Sequence, residues 1–193
     1  MNIAIDNDVW CKLEIEDNVC KYKFLLLNIP CCYGGHQKTG DYLDNYWERN
    51  WRKVPSEVIE GVILCDSNED AKLCATSIER LIRSGYEEQQ GGWVVGMDMA
   101  DVFMQFSGEP MRFLQMTFTD AFDEEGLMQI QKRIKDAHST FHFFLLPESE
   151  TYNRHLDEVD IAYEKILPDV EAELLWQLSL PNDCNRTVSV WYR

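Results

Sequence analysis

Between Cys11 and Phe24 apolar and charged residues alternate almost without exception, interrupted only at Asp17–Asn18. That period of two predicts a β-hairpin, and an Asp-Asn pair, which tolerates positive φ, suits its two-residue turn. The register follows: Ile15 opposite Cys20, Leu13 opposite Tyr22, Cys11 opposite Phe24 and Glu14 opposite Lys21. Cys11 and Cys20 then sit in different cross-strand pairs, out of reach of a mutual disulfide.

The period lengthens after Asp41. Leu43, Trp47, Trp51 and Val54 recur at helical spacing between a capping Asp41 and Pro55. From Val58 strand and helix alternate. A strand over Val58–Cys65 leads through a cap-forming Asp66–Ser67–Asn68 to a helix over Glu69–Ser84, which buries Ala71, Cys74, Ala75, Ile78, Leu81 and Ile82 and stops at Gly85. A strand near Trp93–Met97 and a short helix over Ala100–Ser107 come next, then a strand over Met111–Thr119. The helix Asp123–Ala137 has acids in its first turn and bases in its last, as the macrodipole favours. Thr140–Leu146 is the next strand.

Residues 58–146 therefore read strand–helix–strand twice over, the order of a split βαβ, ferredoxin-like core. A helical stripe continues from Tyr152 through Leu156, Val159, Tyr163, Ile166, Leu167 and Val170 to Leu174, divided or kinked at Pro168. Trp176–Leu180 and Thr187–Trp191 form a closing hairpin about Asn182–Asp183. The fold class expected is α+β: a mixed sheet with a ferredoxin-like core, N-terminal and C-terminal β-hairpins and a long C-terminal acidic helix. The alternative is an α/β domain with a largely parallel sheet. No linker separates these parts, so residues 1–193 read as one domain, with 1–57 and 147–193 flanking the core.

Composition narrows the class. Of 193 residues 45% are hydrophobic, which excludes intrinsic disorder. Met1–Trp10 lacks the basic start and apolar stretch of a signal peptide, and the apolar runs are too short to span a bilayer. Seven cysteines, an odd number, fit free thiols in a reducing cytoplasm. Charge changes the picture most: 18 Lys and Arg against 34 Asp and Glu leave a net charge of −16. Such a field repels nucleic-acid phosphates and anionic membranes and favours basic partners.

Candidate chemistry is thin. Cys31, Cys32 and His36 crowd a glycine-rich turn, but no helix N-terminus or third group activates a thiol there, and no second ligand pair follows. His138 and His142 are four apart, yet the chain passes from helix to strand between them, so the zinc geometry is lost. Asp66–Asn68 stands at the end of a strand, the usual ligand position of open α/β sheets, but without glycine and among acids it reads as a cap. Gly91–Gly92 lacks a nucleotide fingerprint. No catalytic residue, metal ligand or cofactor is expected.

Two features stand out. Glu148 to Glu173 holds nine acids against Arg154 and Lys165, and of these Asp157, Glu158 and Glu164 are expected off the apolar stripe. The helix Asp41–Val54 offers Tyr42, Tyr46, Trp47, Arg49 and Trp51, residue types that anchor interfaces. Together these eight residues form the expected partner-binding set. The function expected is that of an acidic cytoplasmic protein that neutralises or escorts a basic macromolecule, the compositional profile of immunity proteins and inhibitors. The alternatives are a small enzyme or ligand-binding domain, with its site near Asp66 or Cys32, and a nucleic-acid mimic acting on a DNA-binding protein.

Overall fold

Asp17 and Asn18 have φ of 45° and 64°, the two positive values that a tight hairpin turn requires. Around them, in the computed structural model, β2 (Val9–Glu16) and β3 (Val19–Leu26) pair in the register expected from the alternation, with Cys11 against Phe24 and Ile15 against Cys20. The structure describes residues 2–5, 9–26, 57–86, 99–147, 152–180 and 185–193. The expected strand at Trp93–Met97 and helix at Asp41–Val54 lie outside them.

Among the described residues one eight-stranded mixed sheet runs in the order β1-β2-β3-β4-β5-β8-β6-β7. Its other strands are β1 (Asn2–Ile5), β4 (Glu57–Leu64), β5 (Met111–Phe118), β6 (Ser139–Leu145), β7 (Glu173–Ser179) and β8 (Arg186–Tyr192). The helices are α1 (Asn68–Tyr86), α2 (Met99–Gln105), α3 (Glu124–Ile134) and α4 (Tyr152–Lys165). None is long and apolar enough to cross a membrane.

Two cores lie on opposite faces of the sheet. On one, α1 supplies Cys74, Ala75, Ile78, Leu81 and Ile82 and the α2 segment supplies Val102, Phe103 and Phe106, against Leu13, Phe24, Ile63, Phe113, Phe141 and Trp191 of the strands. All six residues expected inside the first helix are buried. On the other face α3 and α4 cover Phe118, Phe144, Leu178, Val188, Val190 and Tyr192. Tyr22 leans across Gly61, where any side chain would collide with its ring, and donates its hydroxyl to the Phe106 carbonyl. The reverse face of β3 and β4 carries charge instead, with Lys23 paired to Glu60 at 3.0 Å.

Three expectations need correction. A split βαβ core would set β6 beside β4, but β3 and β5 occupy both edges of β4, and helices flank both faces of the sheet. The sheet is also not largely parallel: among the described residues only β4·β5 and β6·β7 are parallel ladders. Second, β7 and β8 form no hairpin. β8 inserts between β5 and β6, antiparallel to both, and is buried on both faces, Val188, Val190 and Tyr192 on one and Thr187, Ser189 and Trp191 on the other, as a central strand is. Third, the acidic helix ends at Lys165, before Pro168; Val170 is exposed and Leu174 belongs to β7.

Candidate interaction face

α4 buries Val159 and Ala162, and Ile166, just past its end, continues the same buried spacing. The opposite side is thereby set: Asp157, Asp160, Ile161 and Glu164 all point outward. Ile161 is 59% exposed, an apolar side chain ringed by carboxylates of its own helix. Its neighbour α3 starts at Asp123, whose carboxylate accepts from the Gly126 N–H at 2.7 Å. A Cβ at Gly126 would meet the Phe118 ring at 2.6 Å and Met116 Sδ at 2.8 Å, so only glycine lets this first turn press onto β5. Leu127, Ile130 and Ile134 then face the sheet, leaving Glu124, Glu125 and Met128 outward, with Met128 64% exposed.

Polar contacts lock the two helices side by side. Gln131 Nε2 donates to Asp169 Oδ1 at 2.8 Å, the Asp169 N–H donates to the Lys135 carbonyl at 2.8 Å, and Lys165 Nζ lies 3.8 Å from Glu124 Oε1. The result is a two-helix surface carrying Glu124, Glu125, Asp157, Asp160 and Glu164, two exposed apolar side chains, and the exposed bases Lys132 and Lys165. The expected partner-binding set lacked Glu124, Glu125, Met128, Asp160 and Ile161 as members. The signal was present, since Met128 and Ile161 fall off the apolar stripes of their own helices.

Glu158 does not belong to this face. Its carboxylate takes a bidentate pair from Arg186, Nε to Oε1 at 2.5 Å and Nη2 to Oε2 at 2.8 Å, and the guanidinium also lies over the Phe122 ring. Only 14% of the Arg186 and 22% of the Glu158 side chain is exposed. Glu158→Lys is therefore expected to cost roughly 1–3 kcal/mol, whereas Asp157→Lys and Glu164→Lys should each stay within about 0.5 kcal/mol. Urea unfolding of the three single variants checks this.

The other expected positions separate. Tyr42, Tyr46, Trp47, Arg49 and Trp51 lie outside the described residues, as do Cys31, Cys32 and His36. At the Asp66 turn, Ser67 Oγ accepts from the Asp70 N–H at 3.1 Å, an N-cap, and donates to Asp70 Oδ2 at 2.7 Å, while Asp66 pairs with Arg133 at 2.6 Å. A cleft of about 430 Å³ opens beside this turn, lined by Asp66, Asp70, Gln115, Gln129, Lys132 and Arg133 over the β5 backbone. Its charges are of both signs, and Asp66 and Arg133 already neutralise each other.

His142 occupies a sheet position on β6, fully buried against Tyr163 and Phe144. Burial alone drives its pKa down to about 3. Among the described residues no group of three or more His, Cys, Asp or Glu side chains is arranged to hold a metal ion.

No protein-family model matches the chain. No curated protein matches it either. Among solved structures it is similar to the FtsZ W319Y mutant of M. jannaschii, at 13% identity and a TM-score of 0.43, over 63% of this chain and 37% of that one. It is likewise similar to an empty FtsZ dimer of M. jannaschii, at 11% identity and a TM-score of 0.46, over 82% of this chain and 41% of that one. The chain thus spans well under half the length of either protein.

Proposed function

We propose that this chain is an acidic binding protein whose α3/α4 face docks a basic macromolecular partner, in the manner of an immunity protein or inhibitor, without catalysis of its own. One observation carries the reading: Asp157, Asp160 and Glu164 share the outward side of α4 with exposed Ile161, beside α3 and its exposed Glu124, Glu125 and Met128. Carboxylates around solvent-facing apolar side chains supply both parts of a docking surface. The acids raise the encounter rate with a positive surface, and the apolar side chains give contact area that lasts once water is expelled. A net charge of −16 extends that steering over the whole molecule and opposes nucleic acid and anionic membranes as partners. A cytoplasmic setting accords with the free thiols of Cys11, Cys20, Cys65 and Cys74.

Parallel affinity capture from source-cell lysate tests the proposal, using wild type and the triple variant Asp157→Lys, Asp160→Lys, Glu164→Lys as baits. Wild type should retain a basic protein in stoichiometric amount, and should release it near 1 M salt, where the Debye length falls to about 3 Å. The folded triple variant should not retain it. Equal capture by both baits overturns the assignment of the face, and a captured partner that is itself a DNA-binding protein displaced by DNA favours the nucleic-acid-mimic variant of the reading.

A further inference from the structure

β4 stops at Leu64, while β5 runs on beyond it. Their parallel ladder holds only Ile63 against Met111 and Leu64 against Arg112, whereas β5 is paired to β8 along its other edge from Arg112 to Phe118. The chain leaving β4 enters α1 on one face of the sheet, and the chain leaving β5 enters α3 on the other. Adjacent parallel strands whose helices part in this way leave a crevice beyond the carboxyl end of the first. The cleft of about 430 Å³ lies there.

Its lining fixes its place more closely. Phe113 and Gln115 point to the α1 face, Leu114 and Met116 to the α3 face, and all four border the cleft. Only a slot in the plane of the sheet, in line with β4, meets side chains of both parities. From Leu114 to Phe118 every second residue turns its N–H and C=O to that edge. Among the described residues no other backbone bonds to them there.

We propose that this slot takes an extended peptide segment of a protein partner, which continues the line of β4 and adds a strand to the free edge of β5. An open edge presents donors and acceptors in the rhythm of a peptide backbone. The flanking helices recess it, so that one extended chain can enter and a second sheet cannot. Gln115 adds a side-chain donor: its Oε1 accepts from Ser77 at 2.6 Å and Ser189 at 3.1 Å, which leaves its Nε2 for the guest. Asp66 and Arg133, 2.6 Å apart, tie the two walls together.

The walls also differ in charge. Asp70 stands on the α1 side, and Lys132, paired with no described residue, on the α3 side. Successive strand side chains point to opposite faces, so the favoured guest carries a base and an acid at adjacent positions, the base toward Asp70 and the acid toward Lys132.

Isothermal titration calorimetry of the full chain with the blocked hexapeptide acetyl-Thr-Val-Lys-Glu-Val-Thr-amide tests this. Saturable binding is expected, and Lys132→Glu should weaken it about fivefold. The isomer acetyl-Thr-Lys-Val-Glu-Val-Thr-amide, which sets both charges on one face, should bind more weakly by a similar factor. Methylating the backbone nitrogens of one alternating set of residues should cost at least about tenfold, and methylating the other set should cost little. Equal tolerance of the two sets overturns the strand pairing. Unchanged binding in Lys132→Glu overturns the charge assignment, and no saturable binding up to about 1 mM overturns the site. The slot lies between α1 and α3 and does not rest on the α3/α4 reading, so the variant Asp157→Lys, Asp160→Lys, Glu164→Lys should bind the peptide as wild type does. A loss there would place the peptide on that other face and overturn the slot.

Discussion

Trp191→Ala is expected to cost about 3–5 kcal/mol of stability. Trp191 is fully buried on β8, stacked on Phe141 with ring centroids 5.6 Å apart and within 5.5 Å of both Phe113 and Phe106. Phe141 and Phe113 belong to β6 and β5 and Phe106 directly follows α2, so the indole joins three separate parts of the chain. A cavity at this point cannot collapse easily, because β8 is held on both edges by ladders to β5 and β6. The indole Nε1, buried without a partner, adds a check. Trp191→Phe keeps most of the packing and removes that unsatisfied donor, so its cost should be below about 1.5 kcal/mol. Urea unfolding at neutral pH measures both variants, and equal costs would show that ring packing is not what holds β8 in place.

The second large effect is a loss of stability in acid that depends on His142. Its folded pKa of about 3 lies below the ordinary 6.5, so between those values the unfolded chain takes up a proton that the folded protein refuses. The sign is settled by that difference: the contribution is complete above pH 6.5 and is lost as pH falls toward 3. At roughly 1.4 kcal/mol per pH unit the loss reaches roughly 4 kcal/mol. Neither ring nitrogen has a hydrogen-bond partner, and Tyr163, the ionisable group packed against the ring, stays neutral throughout, its own pKa raised by burial. His142→Phe removes the site while retaining an aromatic ring. Stability measured from pH 7 to pH 3.5 should fall more steeply in wild type than in the variant. Parallel curves would mean that protonation of carboxylates alone accounts for acid unfolding.

Local pattern carried the reading where local physics decides structure. The β2·β3 register was legible because side-chain parity and a two-residue Asp17–Asn18 turn leave one solution, and α1 because its six inward residues keep a 3.6 period. Long-range pairing has no such signature. The Thr187–Trp191 run is equally apolar whether it folds back on β7 or slots between β5 and β6, and only the finished sheet distinguishes the two. Leu174 matched the helical stripe by coincidence of spacing beyond Pro168. At the candidate face Asp157 and Glu164 were readable from helix periodicity, whereas Glu158, one position along, is claimed by Arg186 from β8, a partner 28 residues away.

Stopped-flow association of the captured basic partner with wild type and with the triple variant Asp157→Lys, Asp160→Lys, Glu164→Lys, across a salt series, bears most directly on the acidic face. Near physiological ionic strength the Debye length is already about 8 Å, so the steering should weaken steadily as salt is added. The expected result is a wild-type on-rate that falls as salt rises and a variant on-rate that starts lower and changes little, with urea midpoints showing both proteins folded. A wild-type on-rate indifferent to salt, or a variant that associates as fast as wild type, would contradict the assignment and leave the α3/α4 carboxylates as a solvated surface.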